Sequence, residues 1–277
     1  MDKILVTTDF STNSKAGLRF AIQLASQAKY ELIFFHAYYF EKPTTWNKAT
    51  IAAFEKRAAE TIQKKLDRFV QSVYNSMGLV RHREKCIIVS ALHTDSSILD
   101  YAQKSKIDFI CISTRGAGKL KKLLGTNTSY LINHAPVPVI AVPYNYRKKE
   151  IKTILYASDL EHVDRELRKV LAFSKPLKAA IELLHFHYPT SGVTSKLIMD
   201  KQAKKFSKYA IKMHLEEVNL TERLVTNIEV VVKKSKPSVM VMFTEQSRSF
   251  FDKIFLSSNA ADYSFTSKVP LLVFNKA

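Results

Sequence analysis

The sequence predicts an α/β fold made of two doubly wound, parallel five-stranded sheets in tandem, each a three-layer α/β/α unit. Two observations support this prediction. Short apolar runs alternate with longer amphipathic segments through the 277 residues, which is typical of parallel strands joined by helices. The pattern of the first half then recurs in the second, which indicates an internal repeat. We therefore predict one domain in residues 1–146 and another in residues 147–277.

The first half contains five predicted strands and four predicted helices. The strands cover residues 3–8, 31–38, 85–90, 109–112 and 137–142. The helices cover about 13–28, 49–76 and 95–104, and a fourth begins near Thr126. Ser11 or Thr12 is the predicted N-cap of the first helix. Gly78 is predicted to end the second helix, because glycine accepts the left-handed conformation found after helix C-termini.

Three pairs of segments make up the internal repeat. They match residues 152–160 with 3–10, 182–188 with 32–38, and 269–274 with 137–142. Asp159 follows Asp9 by 150 residues, whereas Val269 follows Val137 by 132, so the second copy is shorter in its middle. The polar and basic stretch 144–150 marks the predicted boundary between the copies.

The charge composition favours anionic partners. Lysine and arginine number 43 against 25 acidic residues, which gives a formal net charge of +18 spread over both halves. The alternative interpretation is a solvated basic surface. The sequence has no motif of sequence-specific nucleic-acid recognition, so we expect no specific nucleic-acid partner.

The distribution of apolar residues and cysteines predicts a cytoplasmic protein. No apolar run approaches the roughly 20 residues that span a bilayer, and the first residues do not have the layout of a signal peptide. Cys86 and Cys111 match no metal-binding spacing and fit a reducing compartment. We therefore expect no membrane partner and no metal ligands.

A glycine-containing loop follows the fourth strand and precedes a helix. Its pattern is Ser113-x2-Gly116-x8-Gly125-Thr126. A strand, a glycine loop and a helix N-terminus together present backbone N–H groups to a phosphate. Thr126 or Asn127 is the predicted cap of that helix.

This pattern resembles G-x2-G-x9-G-[S/T] of the universal stress protein family, which holds the phosphates of ATP in the nucleotide-binding members. Here the first glycine is Ser113 and the long spacer is one residue shorter. The resemblance covers nearly the whole chain. It implies a tandem family member with a partial nucleotide loop in the first half.

The resemblance also implies a nucleotide site at the carboxyl ends of the first-half strands. In the family, the aspartate matching Asp9 lies near the adenine and ribose, and backbone atoms matching Ala37 hold the base. The implied contacts are Thr7, Thr8, Asp9, Ala37, Ile112, Ser113, Gly116, Gly125, Thr126 and Asn127. Structural alternatives exist: Asp9 can cap the first helix, Gly116 can permit a tight turn, and Gly125 can end a helix.

The second half keeps the spacing of the loop but not its glycines. Aligned with the family, it gives Thr244-x2-Ser247-x9-Ser257-Ser258. Residues with a Cβ atom crowd a backbone that phosphates must approach, so we expect no cofactor in this half. His185 and His36 occupy matching places in the second strand of each copy, which favours a shared structural role.

Family members usually pair two domains through their last strands. We therefore expect strands 137–142 and 269–274 to meet edge to edge, which would also cover two apolar edges. This predicts an intramolecular pseudo-dimer, with a homodimer as a further assembly.

These observations favour a non-enzymatic stress-response protein that holds ATP or AMP, with Mg²⁺, in its first half only. The alternative is an interaction or scaffold module that binds an unidentified protein partner and no nucleotide in either half. A third class is an adenylating enzyme. Against it, the sequence lacks an H-I-G-H motif, an S-G-G-x-D loop and a P-loop lysine, and we predict no catalytic residues.

Overall fold

The structure is a computed structural model, and it describes residues 1–41, 43–82, 84–114, 126–222, 224–244 and 269–275. The elements of the first half are β1 (Asp2–Thr7), α1 (Lys15–Gln27), β2 (Tyr30–Tyr38), α2 (Lys48–Met77), β3 (Lys85–Ser90), α3 (Thr94–Lys104), β4 (Phe109–Ser113), α4 (Thr126–His134) and β5 (Val139–Val142). Those of the second half are β6 (Thr153–Ala157), α5 (Val163–Leu177), β7 (Ala180–His187), α6 (Gly192–Lys205), β8 (Ile211–Glu217), α7 (Leu224–Ser235), β9 (Val239–Thr244) and β10 (Leu271–Asn275).

The ten strands form one sheet in the order β3-β2-β1-β4-β5-β10-β9-β6-β7-β8. Neighbouring strands are parallel except β5 and β10, which pair antiparallel with Ile140 opposite Leu272. Each half is thus a five-stranded parallel sheet, as predicted. The two sheets join through their last strands, which confirms the predicted edge-to-edge contact.

Helices cover both faces of this sheet. Ile4 and Val6 belong to the core on the side of α1 and α2, whereas Leu5 belongs to the core on the side of α3 and α4. All three side chains are fully buried. Strands enclosed in this way must be apolar on both faces, which explains their continuous hydrophobic runs.

Helix α1 starts at Lys15, and Ser14 before it has helical backbone angles and makes no side-chain cap hydrogen bond. The Ser11 hydroxyl accepts a hydrogen bond from the Ser14 amide (3.1 Å), as the predicted capping side chain would. The predicted cap of the fourth helix is wrong. Helix α4 begins at Thr126, so Thr126 and Asn127 lie in its first turn and do not precede it. The predicted end of α2 is confirmed: Gly78 follows that helix with φ 63°.

Among the helices that the structure describes, none is both long enough and apolar enough to cross a membrane.

Candidate functional site

The chain order of the strands creates a crevice in the first half. From β1 the chain passes to β2 and β3 on one side, then returns to β4 and β5 on the other. Ligands of doubly wound folds bind outside the carboxyl ends of the strands at such a reversal. Val6 lies opposite Cys111, so the carboxyl ends of β1 and β4 lie side by side at this point.

The structure brings most of the predicted contacts to this edge. Thr7 ends β1, Thr8 and Asp9 follow it, Ala37 is the second-last residue of β2, and Ile112 and Ser113 end β4. Thr126 and Asn127 open α4. Gly116 and Gly125 lie outside the described residues, so the predicted phosphate cradle stays a prediction.

Ser113 links β4 to the start of α1. Its hydroxyl accepts a hydrogen bond from the Gly17 amide (2.6 Å) and donates one to the Ser14 carbonyl (3.0 Å). Gly17 is the third residue of α1, where the amide has no partner inside the helix. The Ser113 side chain therefore caps α1 from a distant strand. A ligand in the crevice would meet the backbone of β4 at this residue, not its hydroxyl.

Thr8 shapes the turn between β1 and α1. Its Oγ1 accepts a hydrogen bond from the Phe10 amide (3.1 Å) and lies 2.8 Å from the Ser14 hydroxyl. Its carbonyl accepts one from Nδ1 of His36 at 2.8 Å. These bonds fix the turn, and Thr8 is buried within it.

Asp9 is exposed at the mouth of the crevice, and its Oδ1 accepts a hydrogen bond from the Ser11 amide at 3.0 Å. This bond lies within the turn, so Asp9 does not cap α1. Partial burial opposes ionisation of the carboxyl group, but hydrogen bonds from Ser11 and Ser14 outweigh it and hold the pKa of Asp9 below its usual value. Asp9 thus places a negative charge and a hydrogen-bond acceptor at this edge of the sheet.

A cluster of aromatic rings and cations beside Asp9 escaped the sequence reasoning. Phe10 has a left-handed backbone (φ 61°), and its ring centroid lies 4.1 Å from that of His36 and 5.6 Å from that of Phe69. Lys65 Nζ lies 4.5 Å above the Phe10 ring, and Lys15 Nζ lies 5.4 Å from the Phe69 ring. Two cations therefore flank the turn that holds Asp9.

One sequence signal pointed to the contact between α1 and β4. Gly17 stands alone inside a predicted helix, and an isolated glycine there often marks a close approach of another element. A Cβ atom at this position would lie 2.9 Å from the Ser113 hydroxyl oxygen.

The second half repeats the same turn. The Ser158 hydroxyl accepts a hydrogen bond from the Leu160 amide (3.0 Å), and Asp159 Oδ1 accepts one from the Glu161 amide (3.0 Å). Nδ1 of His185 donates to the Ser158 carbonyl at 2.8 Å, as His36 does to Thr8. The structural role predicted for the two histidines is confirmed.

The strand register corrects the sequence alignment of the second half. Tyr156 lies opposite Val241 as Val6 lies opposite Cys111, so Phe243, and not Thr244, matches Ser113. Without glycines to anchor the alignment, the sequence pattern placed the strand one residue out of register. Since adjacent strand residues face opposite sides, the shift changes which side chain meets the helix layer.

Large side chains fill the second-half position that matches Ser113. The Phe243 ring stacks on that of Phe274 (5.1 Å) and makes an edge contact with that of Tyr156 (5.6 Å). The Tyr156 hydroxyl lies 2.8 Å from that of Ser158 and hydrogen-bonds the carboxylate of Glu166, which is 3% exposed. In the first half, the residues matching Tyr156, Phe243 and Phe274 are Val6, Ser113 and Val142.

A family model described as the universal stress protein family matches residues 1–143, which is more than half of the chain. The chain belongs to the universal stress protein family. This confirms the resemblance and places the protein among stress-response proteins. No curated protein matches the sequence of this family member.

Solved structures show the same architecture over both halves of this universal stress protein. One from Archaeoglobus fulgidus DSM 4304, also a universal stress protein, has a TM-score of 0.71 at 17% identity and covers 99% of this chain and 98% of its own. A functionally unknown protein from Pseudomonas aeruginosa PAO1 has a TM-score of 0.60 at 16% identity, with coverages of 99% and 92%.

A universal stress protein in complex with cAMP covers 51% of this chain and 96% of its own, with a TM-score of 0.37 at 18% identity.

The described ranges contain no group of three or more His, Cys, Asp and Glu residues that could hold a metal ion.

Proposed function

We propose that this universal stress protein is a non-enzymatic stress-response protein that binds an adenine nucleotide, ATP or AMP, in its first half only. The observation that carries the proposal is the contrast at one matched position. Ser113, which ends β4 beside the crevice of the first half, has a small side chain, and Val142 next to it is buried, whereas Phe243 and Phe274 stack on each other at the equivalent place in the second half.

The described residues supply part of a nucleotide site. The ionised Asp9 offers an acceptor to a ribose hydroxyl group, and the backbone at Ala37 and Ile112 offers hydrogen-bonding groups to the base. Lys15 and Lys65 add positive potential beside the crevice. The phosphates, with Mg²⁺, would lie at the N-terminus of α4 near Gly116, Gly125, Thr126 and Asn127.

A matched pair of variants tests this proposal. Asp9 and Asp159 make the same turn hydrogen bond at 3.0 Å, so replacing either by alanine removes the same local interaction. With Mg²⁺ and ATP, we expect Asp9→Ala to weaken binding by about tenfold or more, because a charge-assisted hydrogen bond is lost. Asp159→Ala should leave the affinity unchanged. Isothermal titration calorimetry measures both, and equal affinities in the two variants would refute the assignment.

The second candidate function is an interaction or scaffold module with no nucleotide in either half. The engagement of the Ser113 hydroxyl by α1 favours it, because this chain carries a structural serine where the family pattern has a glycine. The absence of a thermal shift at millimolar ATP would support this candidate, since a bound ligand raises the melting temperature by mass action. Turnover of labelled ATP would instead indicate an enzyme.

We further propose the domain boundary, assembly and location as follows. The domains comprise residues 1–146 and 147–277, and the β5–β10 contact makes a pseudo-dimer within one chain. Because each half already uses its last strand in this contact, a homodimer would need another surface. The protein partner is unidentified, and we propose a cytoplasmic location.

A further inference from the structure

The two outer strands of the ten-stranded sheet are β3 and β8, and among the residues that the structure describes no strand lies beyond either. An outer strand presents a row of backbone N–H and C=O groups that can pair with another chain. Every residue of β8 is half-buried or exposed, whereas every residue of the central strand β5 is buried. The outer edge of β8 is thus accessible.

Three residues of β8 direct their backbone groups away from the sheet. The Val218 amide, just after β8, donates a hydrogen bond to the His187 carbonyl of β7 at 2.9 Å. Because backbone groups alternate in direction along a strand, Met213, Leu215 and Glu217 turn their N–H and C=O groups away from β7. A further strand can bond to these groups without disturbing the pairing of β7 with β8.

The edge of β3 differs, because a helix side chain occupies part of it. Nε2 of Gln63 on α2 donates a hydrogen bond to the Cys86 carbonyl at 3.1 Å. That carbonyl points away from β2, since the Ala91 amide, five residues on, donates to the Tyr38 carbonyl of β2 at 2.8 Å. In the described part of the chain, no side chain makes such a bond to the outward groups of β8.

The sequence of β8 is complementary to itself in an antiparallel pair. About a twofold axis at His214, Lys212 of one copy lies opposite Glu216 of the other, and the axis repeats this contact. Met213 then lies opposite Leu215, and their outward groups can exchange a reciprocal pair of N–H···O=C bonds. Opposite charges and free backbone groups therefore match in the same register.

Neither Lys212 nor Glu216 uses its charge in an ion pair within the described residues. Glu182 lies beside Lys212 in the β7–β8 register, but its carboxylate contacts Nε2 of His214 at 3.0 Å. Lys212 is exposed and Glu216 is half-buried. Both charges are therefore available to a second copy of the chain.

Exposed apolar side chains lie at both ends of β8. Tyr209, which precedes the strand, is 37% exposed, and Leu220, which follows it, is 66% exposed. In an antiparallel pair, the residues before one strand lie beside those after its partner. The twofold axis therefore brings Tyr209 of one copy to the same end as Leu220 of the other, where association can bury apolar surface.

We propose that two copies of this chain dimerise by antiparallel pairing of β8 with β8 about His214. Each copy contributes the same surface, so the contact closes at two chains and does not propagate. The inference rests on the homodimer proposed above, and it supplies the surface that a homodimer needs once β5 and β10 are paired within the chain. It does not depend on nucleotide binding in the first half.

Charge reversal tests both the contact and its register. Since a pair of single strands makes a small interface, we expect sedimentation velocity to show a weak dimer of the wild type between about 1 and 500 µM. Lys212→Glu sets like charges opposite each other at two places in the dimer, and Glu216→Lys does the same. Each variant should weaken association by about tenfold or more. Lys104→Glu, at an exposed position on α3, is the control and should associate like the wild type.

Mixing the two variants separates loss of this contact from damage to the fold. An equimolar mixture of Lys212→Glu and Glu216→Lys should recover the dimer, because each acid then faces a base. The two substitutions in one chain should also recover it. A wild type that stays monomeric at about 500 µM would overturn the proposal. So would single variants that associate like the wild type, or a mixture that does not recover. These readouts are separate from the ATP affinity that Asp9→Ala tests.

Discussion

The hydroxyl oxygen of Ser113 lies 2.6 Å from the amide nitrogen of Gly17 and accepts its hydrogen. The contact joins the end of β4 to the first turn of α1 across 96 residues of sequence. The hydrogen-bond acceptor is a serine at the position where the family loop pattern has its first glycine. The close approach also requires a glycine at position 17 of the helix, since a Cβ atom there would lie 2.9 Å from the Ser113 hydroxyl oxygen. Two residues at the edge of the candidate site are therefore structurally coupled.

Replacement of Gly17 by alanine tests this coupling. The new Cβ atom would lie 2.9 Å from the Ser113 hydroxyl oxygen and 3.2 Å from its backbone nitrogen. We expect the free energy of unfolding to fall by about 1–3 kcal/mol, because overpacking forces the backbone to shift. Urea unfolding measures the change. Gly192→Ala is the control, since its Cβ atom would meet the ring of His187, a side chain that can rotate away, and a larger loss there would contradict the argument.

The two matched histidines predict acid sensitivity. Burial lowers the pKa of His36 and of His185 below the usual 6.5, while the hydrogen bonds to Thr8 and Ser158 oppose this shift. The two imidazole rings are therefore protonated more readily in the unfolded chain than in the folded protein. The histidines therefore contribute stability above about pH 6.5 that is lost as the pH falls through their folded pKa values.

Asparagine can replace the Nδ1 donor of each histidine without titrating. We expect the double variant His36→Asn, His185→Asn to lose less stability than the wild type between about pH 7 and 5. Urea midpoints at each pH give the slopes, and His82→Asn, at an exposed position, is the control. Identical slopes in the wild type and the double variant would refute the role of the pair.

The buried contact between Tyr156 and Glu166 predicts a non-additive double-variant cycle. Burial, followed by the Glu166 carboxylate, raises the pKa of Tyr156 far above its usual value, so the phenol stays a donor. Tyr156→Phe should cost about 1–3 kcal/mol, because a buried carboxylate loses a donor. Tyr156→Phe combined with Glu166→Met should cost less than the sum of the two single changes.

Chemical unfolding of the four proteins in this cycle measures the coupling. Tyr146→Phe is the comparison variant, because the Tyr146 hydroxyl donates to the Lys149 carbonyl at 3.3 Å, a longer bond to a neutral acceptor. It should lose less stability than Tyr156→Phe. Additive costs in the cycle would show that the tyrosine and the carboxylate act independently.

The junction between the two sheets predicts an oligomerisation phenotype. Leu272 lies opposite Ile140 in the β5–β10 pair, and both side chains are fully buried. Leu272→Glu would bury an unpaired charge there, at a cost of several kcal/mol. We expect β5 and β10 to separate, so that these exposed edge strands pair with those of other chains. Light scattering after size-exclusion chromatography would detect the larger species. Val230→Glu on α7, where the side chain is 61% exposed, is the control and should stay at the wild-type mass.

The sequence by itself determined the architecture. Alternating apolar runs and amphipathic segments gave the order of strands and helices, and the matched segments gave two copies. The family pattern added the pairing of β5 with β10. These features are local or repeated, so periodicity and composition are sufficient to specify them.

The tertiary structure decided which side chains meet at the candidate sites. The sequence pattern matched Thr244 with Ser113, but the strand register places Phe243 there, and one residue of shift exchanges the two faces of a strand. The Ser113–Gly17 hydrogen bond likewise depends on elements brought together by packing. No local pattern encodes such contacts, because their distances are set by the register of the sheet and the depth at which each helix lies on it.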